Sequence, residues 1–324
     1  MRKPDVDLRA LDRLLAVVFG SSVEYTCRRT ATGSSTQVYR VDRGTGTFYV
    51  RIAESAGDSF APEVALHRAL RTAGANVPAV VHYEPFCASL ARSVMVTTEI
   101  AGGPMNRSTP GAAAAKIGRG AGRDLARIHG VAVQGFGWIM REHATPGWPL
   151  RAEHATYASY VDPASVGDPL LGIGFDLAQA QRVESLLEEA IAVGPAAGVG
   201  RVAHGDFDTS HIFQSRALYT GLIDFGEIRG TDYTFDFATL ILSSDEHHPA
   251  SQIRRHVEAG YSEIRALPED HERRLYLACI LSATHRLCGW FRRDGPDAAR
   301  GPFFRWIRDR LADLLDSERL AVRD

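Results

Sequence analysis

The sequence predicts an α+β chain in two lobes, a small one built on an antiparallel sheet and a larger, mostly helical one. Three observations carry the prediction. Strand-like stretches separated by turn residues dominate positions 25–99. A Gly102-Gly103-Pro104 run then interrupts the chain. Beyond it, apolar residues recur at helical spacing over long segments. We therefore expect an N-terminal lobe over residues 1–101, a hinge near 98–103 and a C-terminal lobe over 104–324. A chain of 324 residues is long enough for two cores around a cleft.

In the first lobe, Leu8, Leu11, Leu14, Leu15 and Val18 form one helical stripe closed by Gly20. Strands are expected at 25–32, 37–41 and 47–53, a helix at 60–70 with Pro62 in its first turn, and further strands at 79–83 and 93–99. The turn Gly33-Ser34-Ser35-Thr36 is small enough to bring backbone N–H groups against phosphate oxygens. An ordinary hairpin loop is the alternative, and the stretch is no G-x-x-x-x-G-K-[ST]. Arg51 is the one basic residue on its strand. Buried there it needs a partner, and Glu63, at the start of the next helix, is the one to expect.

In the second lobe, residues 112–129 read as a long Ala-rich helix, 130–138 as a Gly/aromatic loop and 140–175 as irregular chain. Trp148, Tyr157 and Tyr160 are available there to line a pocket or cover a core. A helix with an acidic face (Glu184, Glu188, Glu189) is expected over 176–193, and others over 235–242, 250–264, 269–293 and 302–316.

Composition narrows the class. Apolar content of 45% and charged content of 23% are ordinary for a globular protein, and a net charge of -2 argues against nucleic acid as the main partner. The only lysines are Lys3 and Lys116. Cys27, Cys87, Cys279 and Cys288 show no C-x-x-C spacing, so reduced thiols in a cytoplasm are expected. With no apolar run of about 18 residues and no apolar N-terminal segment, we expect no membrane partner.

The chemistry gathers in residues 202–227. An apolar pair, Val202-Ala203, delivers His204-Gly205-Asp206 to a loop that closes at His211. A short hairpin then leads to Asp224. Asp206, His211 and Asp224 can therefore converge, and converging carboxylates call for a cation between them. Mg²⁺ with a phosphorylated nucleotide is the expected occupant. Asp206 is placed to accept the proton of a substrate hydroxyl as its bond to phosphorus forms, and Asp224 to hold the metal. His204 is expected to pack the loop, Asp208 to cap it, and Asp236 to fix it as a buried acceptor.

These residues resemble the aminoglycoside phosphotransferase family, relatives of the protein kinases. The match rests on His204-Gly205-Asp206 with His211 five residues on, followed by Ile223-Asp224-Phe225-Gly226-Glu227. Around it, Val50-Arg51-Ile52 is similar to the family's nucleotide-binding strand, and Glu63 to that strand's helix partner. Thr98-Glu99-Ile100-Ala101 is similar to its purine-reading hinge. The helix end at His129 and the segment Asp232–Ala238 also fit in order and spacing. The resemblance implies a two-lobed, protein-kinase-like fold and an ATP- or GTP-dependent kinase acting on a small-molecule hydroxyl. It implies Asp206 as base and His211 with Asp224 as metal ligands. Gly33, Ser34, Ser35, Arg51, Glu63, Glu99, Ile100 and Ala101 would then hold the nucleotide. Two positions depart from the pattern. Arg51 stands for the usual Lys, keeping the charge with altered geometry, and His211 for the usual Asn, implying weaker Mg²⁺ binding or use of Mn²⁺.

An antibiotic is the expected acceptor, which would make this a resistance or self-resistance kinase, monomeric or homodimeric. The Arg-rich C-terminal half leans toward an acceptor less cationic than an aminoglycoside: a macrolide, a nucleoside, a peptide antibiotic or a metabolite. Three alternatives stay open: a small-metabolite kinase of the same fold, a non-catalytic nucleotide-binding module, and a metallohydrolase built on His204, Asp206, Asp208 and His211. The last lacks an H-E-x-x-H.

Overall fold

The alternating stretches of the first hundred residues close into one antiparallel sheet. The structure, a computed structural model, describes residues 6–20, 24–30, 37–44, 46–106, 109–142, 147–195, 199–243, 249–295, 297 and 301–321. The turn expected to cradle phosphate, Gly33-Ser34-Ser35, lies outside the described residues. Helix α1 (Leu8–Phe19) starts at Asp7, whose side chain accepts from the Arg9 amide. Strands β1 (Tyr25–Arg29), β2 (Gln37–Arg43) and β3 (Gly46–Ile52) follow, then helix α2 (Ala61–Thr72), β4 (Val80–Cys87) and β5 (Arg92–Thr98). The strand order β1-β2-β3-β5-β4 makes β3 the central strand. Leu11, Leu14 and Leu15 of α1 pack on Tyr39, Val41, Val50, Val94 and Val96, so this sheet has a core of its own. Helix α2 faces the other way: its Leu66 and Leu70 join Ile117, Leu125 and Phe225 in the core of the second lobe.

The Gly-Gly-Pro run is stitched into the second lobe. Its β6 (Gly103–Pro104) pairs with a strand more than a hundred residues on, and a Cβ at Gly102 (φ 94°) would collide with the Gln214 carbonyl. Helix α3 (Gly111–Ile128) comes next. The run expected to be a Gly/aromatic loop is instead two strands, β7 (Ala132–Gln134) and β8 (Phe136–Ile139). Gly135 and Gly137 at φ near 90° read locally as a loop, while distant strands supply the pairing. The stretch called irregular holds β9 (Ala152–His154), α4 (Tyr157–Val161) and α5 (Gly167–Gly172). Tyr157 and Tyr160 are buried in its core, whereas Trp148 is exposed. Helix α6 (Leu177–Val193) follows, opened by an Asp176/Gln179 capping box.

The rest is β10 (Val199–Ala203), β11 (Ile212–Ser215), β12 (Leu218–Leu222), β13 (Arg229–Thr231), α7 (Thr234–Leu242), α8 (Pro249–Ser262), α9 (His271–Asp294) and α10 (Pro302–Ala321). Two small sheets, ordered β7-β10-β13-β8-β9 and β12-β11-β6, thus sit within the helical lobe. Together they carry every backbone turn of the 202–227 stretch. Among the described residues, no helix is long and apolar enough to cross a membrane.

His67 on α2 couples this architecture to pH. It is 2% exposed, its Nδ1–H donates to the Pro78 carbonyl at 2.9 Å, and its ring packs on Phe225. Burial pushes its pKa from 6.5 down to about 4. The unfolded chain takes up this proton first, so the contribution to stability is complete above about pH 6.5 and is lost as pH falls toward 4. Urea titrations at pH 7 and pH 4.5 should show a loss that His67→Asn reduces by roughly 2–3 kcal/mol. An equal loss in both proteins would clear His67 of this role.

Candidate active site

Strand β10 ends at Ala203, and the chain must then turn sharply to present a carboxylate. Asp236, fully buried on α7, imposes the turn by accepting the His204 amide at 2.7 Å and the Gly205 amide at 2.8 Å. Its Oδ2 also takes the His129 Nε2–H at 2.9 Å. Burial opposes a charge there, yet the His129 bond, the nearby His204 and the loop amides hold its pKa below the usual carboxylate range. Gly205 has φ 87°, and a Cβ on it would collide with the Glu227 carbonyl oxygen, so only glycine fits. His204 is fully buried and its pKa is lowered by that burial. The neutral ring donates from Nε2 to the Ile223 carbonyl at 2.8 Å, tying the loop to the chain before Asp224.

Asp206 emerges from this frame with its side chain 37% exposed. His211 faces it: Nδ1 donates to the Asp206 carbonyl at 2.7 Å and lies 3.6 Å from the Asp206 carboxylate. Nε2 lies 3.9 Å from Asp224 Oδ2. Burial lowers the His211 pKa, but Asp208, Asp206 and Asp224 outweigh it and the net shift is upward. Asp224 is in the left-handed region (φ 63°), a conformation that costs energy and fixes the aim of its side chain. Desolvation would raise its pKa; Arg51, His211 and His204 prevail and lower it.

The fit to a divalent ion can be judged from the donors. Asp206, Asp208 and His211 cluster closely. However, Asp208 Oδ1 already accepts from Ser210 N and Oγ at 2.6 and 2.5 Å, and His211 Nδ1 is committed to a carbonyl. The available pair is His211 Nε2 with Asp224 Oδ2, separated by a span that one ion can bridge. The expected metal ligands are therefore brought together, and Asp208 caps its own turn.

Across the cleft, Arg51 on β3 pairs with Glu63, whose carboxylate is 0% exposed. Arg141, which nothing local in the sequence marks, occupies the other oxygen of Glu63. Its second terminal nitrogen donates to the Gly226 carbonyl at 2.8 Å. Its backbone carbonyl also accepts the Ser59 amide at 2.6 Å. One carboxylate thus joins the central strand, α2 and the 224–226 turn. At the expected hinge, the Glu99 amide donates to the Thr47 carbonyl and its side chain accepts from Arg40 at 3.1 Å; the Ala101 carbonyl takes Thr220 Oγ1 at 2.7 Å. The Glu99 carbonyl and the Ile100 and Ala101 amides have no backbone partner among the described residues, so these groups could read a purine edge. The Glu99 side chain instead braces the sheet.

Glu227, named above only as the end of the Ile223–Glu227 motif, also bears on Asp206, as does Arg286. Sequence reasoning assigned no place in the site to Arg286 or to Arg229, which pairs with Glu227. Arg229 lies 4.2 Å from the Trp138 ring and donates to the Glu227 carbonyl at 3.3 Å. Desolvation, with Asp206 and Asp224 nearby, raises the Glu227 pKa against the pull of Arg229. Burial lowers that of Arg286 on α9, which feels Asp206, Glu227 and Asp208.

Comparison with known proteins places the chain and its fold. The sequence model of the phosphotransferase enzyme family matches residues 26–276. No curated protein matches the chain by sequence. Aminoglycoside phosphotransferase APH(4)-Ia superposes with a TM-score of 0.67 at 15% identity, covering 96% of this chain and 99% of that one. A thermostable mutant of that enzyme in ternary complex with ADP and hygromycin B gives 0.66 at 16% identity, covering 95% and 98%. A putative fructosamine-3-kinase from Thermobifida fusca gives 0.56 at 18% identity, covering 89% and 98%. At such identities the likeness is one of fold.

The Arg141 contacts make a direct prediction. Arg141→Ala leaves a buried carboxylate with one partner and takes a donor from the Gly226 carbonyl. It should cost about 1–3 kcal/mol in urea unfolding, and Arg141→Lys less. Equal stability for all three proteins would show that the contacts contribute nothing.

Proposed function

The chain belongs to the phosphotransferase enzyme family, and on that premise we propose that it transfers the γ-phosphate of ATP or GTP to a hydroxyl of a small molecule, with Asp206 as the base. One observation carries this reading: His211 faces Asp206 through Nδ1 and Asp224 through Nε2, so the base and a metal pair share one imidazole. In this reading the fixed loop holds the Asp206 carboxylate where a bound hydroxyl can donate to it, and Asp206 takes the proton late in transfer. Arg51, oriented by Glu63, directs its remaining N–H groups at phosphate oxygens. The Ile100 and Ala101 amides and the Glu99 carbonyl meet the purine. His211 and Asp224 would hold Mg²⁺ or Mn²⁺, which when bound offsets phosphate charge.

For the acceptor we favour an antibiotic less cationic than an aminoglycoside. The solved complex with hygromycin B supports the antibiotic class, while Arg286, whose charge acts on Asp206, opposes a polycation at this spot. A sugar-amine metabolite is the second reading, supported by the likeness to the fructosamine-3-kinase.

A thermal-shift panel of neutral antibiotics and glycated amines, run with a non-hydrolysable nucleotide, should yield an acceptor that is then phosphorylated. Asp206→Asn should lower kcat by on the order of 10²–10⁴ with nucleotide affinity kept. Unchanged turnover would remove Asp206 as base, and nucleotide binding without transfer to any acceptor would favour a non-catalytic module. His211→Asn, titrated with Mg²⁺ and Mn²⁺, should shift preference toward Mg²⁺; an unchanged metal profile would take His211 out of the metal shell.

A further inference from the structure

One hydrogen bond behind Asp236 lies a cavity of about 350 Å³, lined by His129, Arg201, Asp232, Tyr233, Tyr261 and Arg265 among others. Of these, only His129 bears on the phosphotransfer site, through its bond to Asp236. The volume is at the low end of small-molecule sites, enough for one ring and a polar substituent.

Its charge is unbalanced. Arg201, exposed on β10, makes no side-chain hydrogen bond or ion pair among the described residues, though its charge acts on Tyr261. Arg265 gives Nε to the Ala126 carbonyl at 3.1 Å and retains its terminal N–H groups. The carboxylate in the wall, Asp232, turns Oδ1 onto Thr234 N at 3.0 Å and Thr234 Oγ1 at 2.6 Å, closing its own turn. Two guanidiniums therefore face one cavity with neither paired to a carboxylate. The remaining walls are aromatic and aliphatic: the Tyr261 ring packs 5.5 Å from His129 and 6.1 Å from Tyr233, and Pro195, Val199 and Ala266 complete the lining. A flat apolar wall beside forked cationic donors matches a planar ring that carries a carboxylate.

The cavity is wired to the loop that bears Asp206. Tyr261 OH donates to His129 Nδ1 at 3.2 Å, and His129 Nε2 donates to Asp236, whose two oxygens hold the His204 and Gly205 amides. A carboxylate that draws the Tyr261 hydroxyl toward itself removes the donor that sets the His129 tautomer, and with it loosens the grip of Asp236 on the loop. We propose that this cavity is a regulatory site for a small aromatic carboxylate, which binds to Arg201 and Arg265 and lowers turnover through Tyr261, His129 and Asp236.

Calorimetry on the full chain without nucleotide tests binding apart from catalysis, using 4-hydroxybenzoate as probe and 4-hydroxybenzamide as its uncharged control. The carboxylate should bind saturably in the millimolar range and the amide at least tenfold more weakly. Arg201→Ala with Arg265→Ala should weaken carboxylate binding tenfold or more while basal phosphotransfer stays unchanged. Tyr261→Phe should bind the carboxylate yet lose its effect on kcat. Equal binding of acid and amide, unaltered binding to the double variant, or no binding at 10-fold the expected range would each overturn the site. Inhibition that persists in Tyr261→Phe would overturn the relay. A protein that binds the acid but phosphorylates nothing would leave the site standing and count against the phosphotransfer reading instead.

Discussion

Asp236 is the interaction on which the rest depends. A carboxylate at zero exposure is among the most expensive groups a core can hold unless its lone pairs are filled. Here they are filled by two amides from one tight loop and one imidazole from the end of α3. The arrangement works in both directions. The loop cannot relax without leaving a buried anion unpaired, so Gly205 keeps its left-handed backbone and Asp206 is held out toward the cleft. His204, neutral in the same interior, passes the constraint on to Ile223 and so to the strained Asp224.

Glu63 plays the matching part across the cleft. Its carboxylate is shared between Arg51 of the sheet and Arg141 of the helical lobe, and Arg141 also holds the turn after Asp224. Phe225 completes the joint, packed between His67 of α2 and His204 of the loop. Arg51 and the His211–Asp224 pair are thereby set relative to one another by protein contacts alone. Such preorganisation lowers the ordering that a bound nucleotide must bring about.

What could be read from the sequence followed from how local the cause was. Asp206, His211 and Asp224 bracket a short hairpin, and strands joined by a tight turn must lie side by side, so their meeting was legible. The Arg51–Glu63 pair was legible too, because an arginine on a central strand requires a partner nearby. The buried role of Asp236 followed from its place on an apolar helix after the loop. Strands β7 and β8 were not legible: Gly135 and Gly137 erase the alternation, and the pairing comes from β10 and β13, far along the chain. Arg141 was hidden for the same reason, since both of its partners are remote in sequence. The places of Arg229 and Arg286 were not legible, because helical and strand periodicity alone does not say which polar residues turn inward.

Arginine at position 51 has one further consequence. A guanidinium cannot shed its proton in the physiological range, and it is a poor nucleophile. The only lysines of the chain are Lys3 and Lys116, and Lys116, the one among the described residues, is exposed on α3. Acylating reagents that tag kinases through a lysine of this strand would find no amine at position 51. A survey of kinases built on such labelling would leave it uncounted.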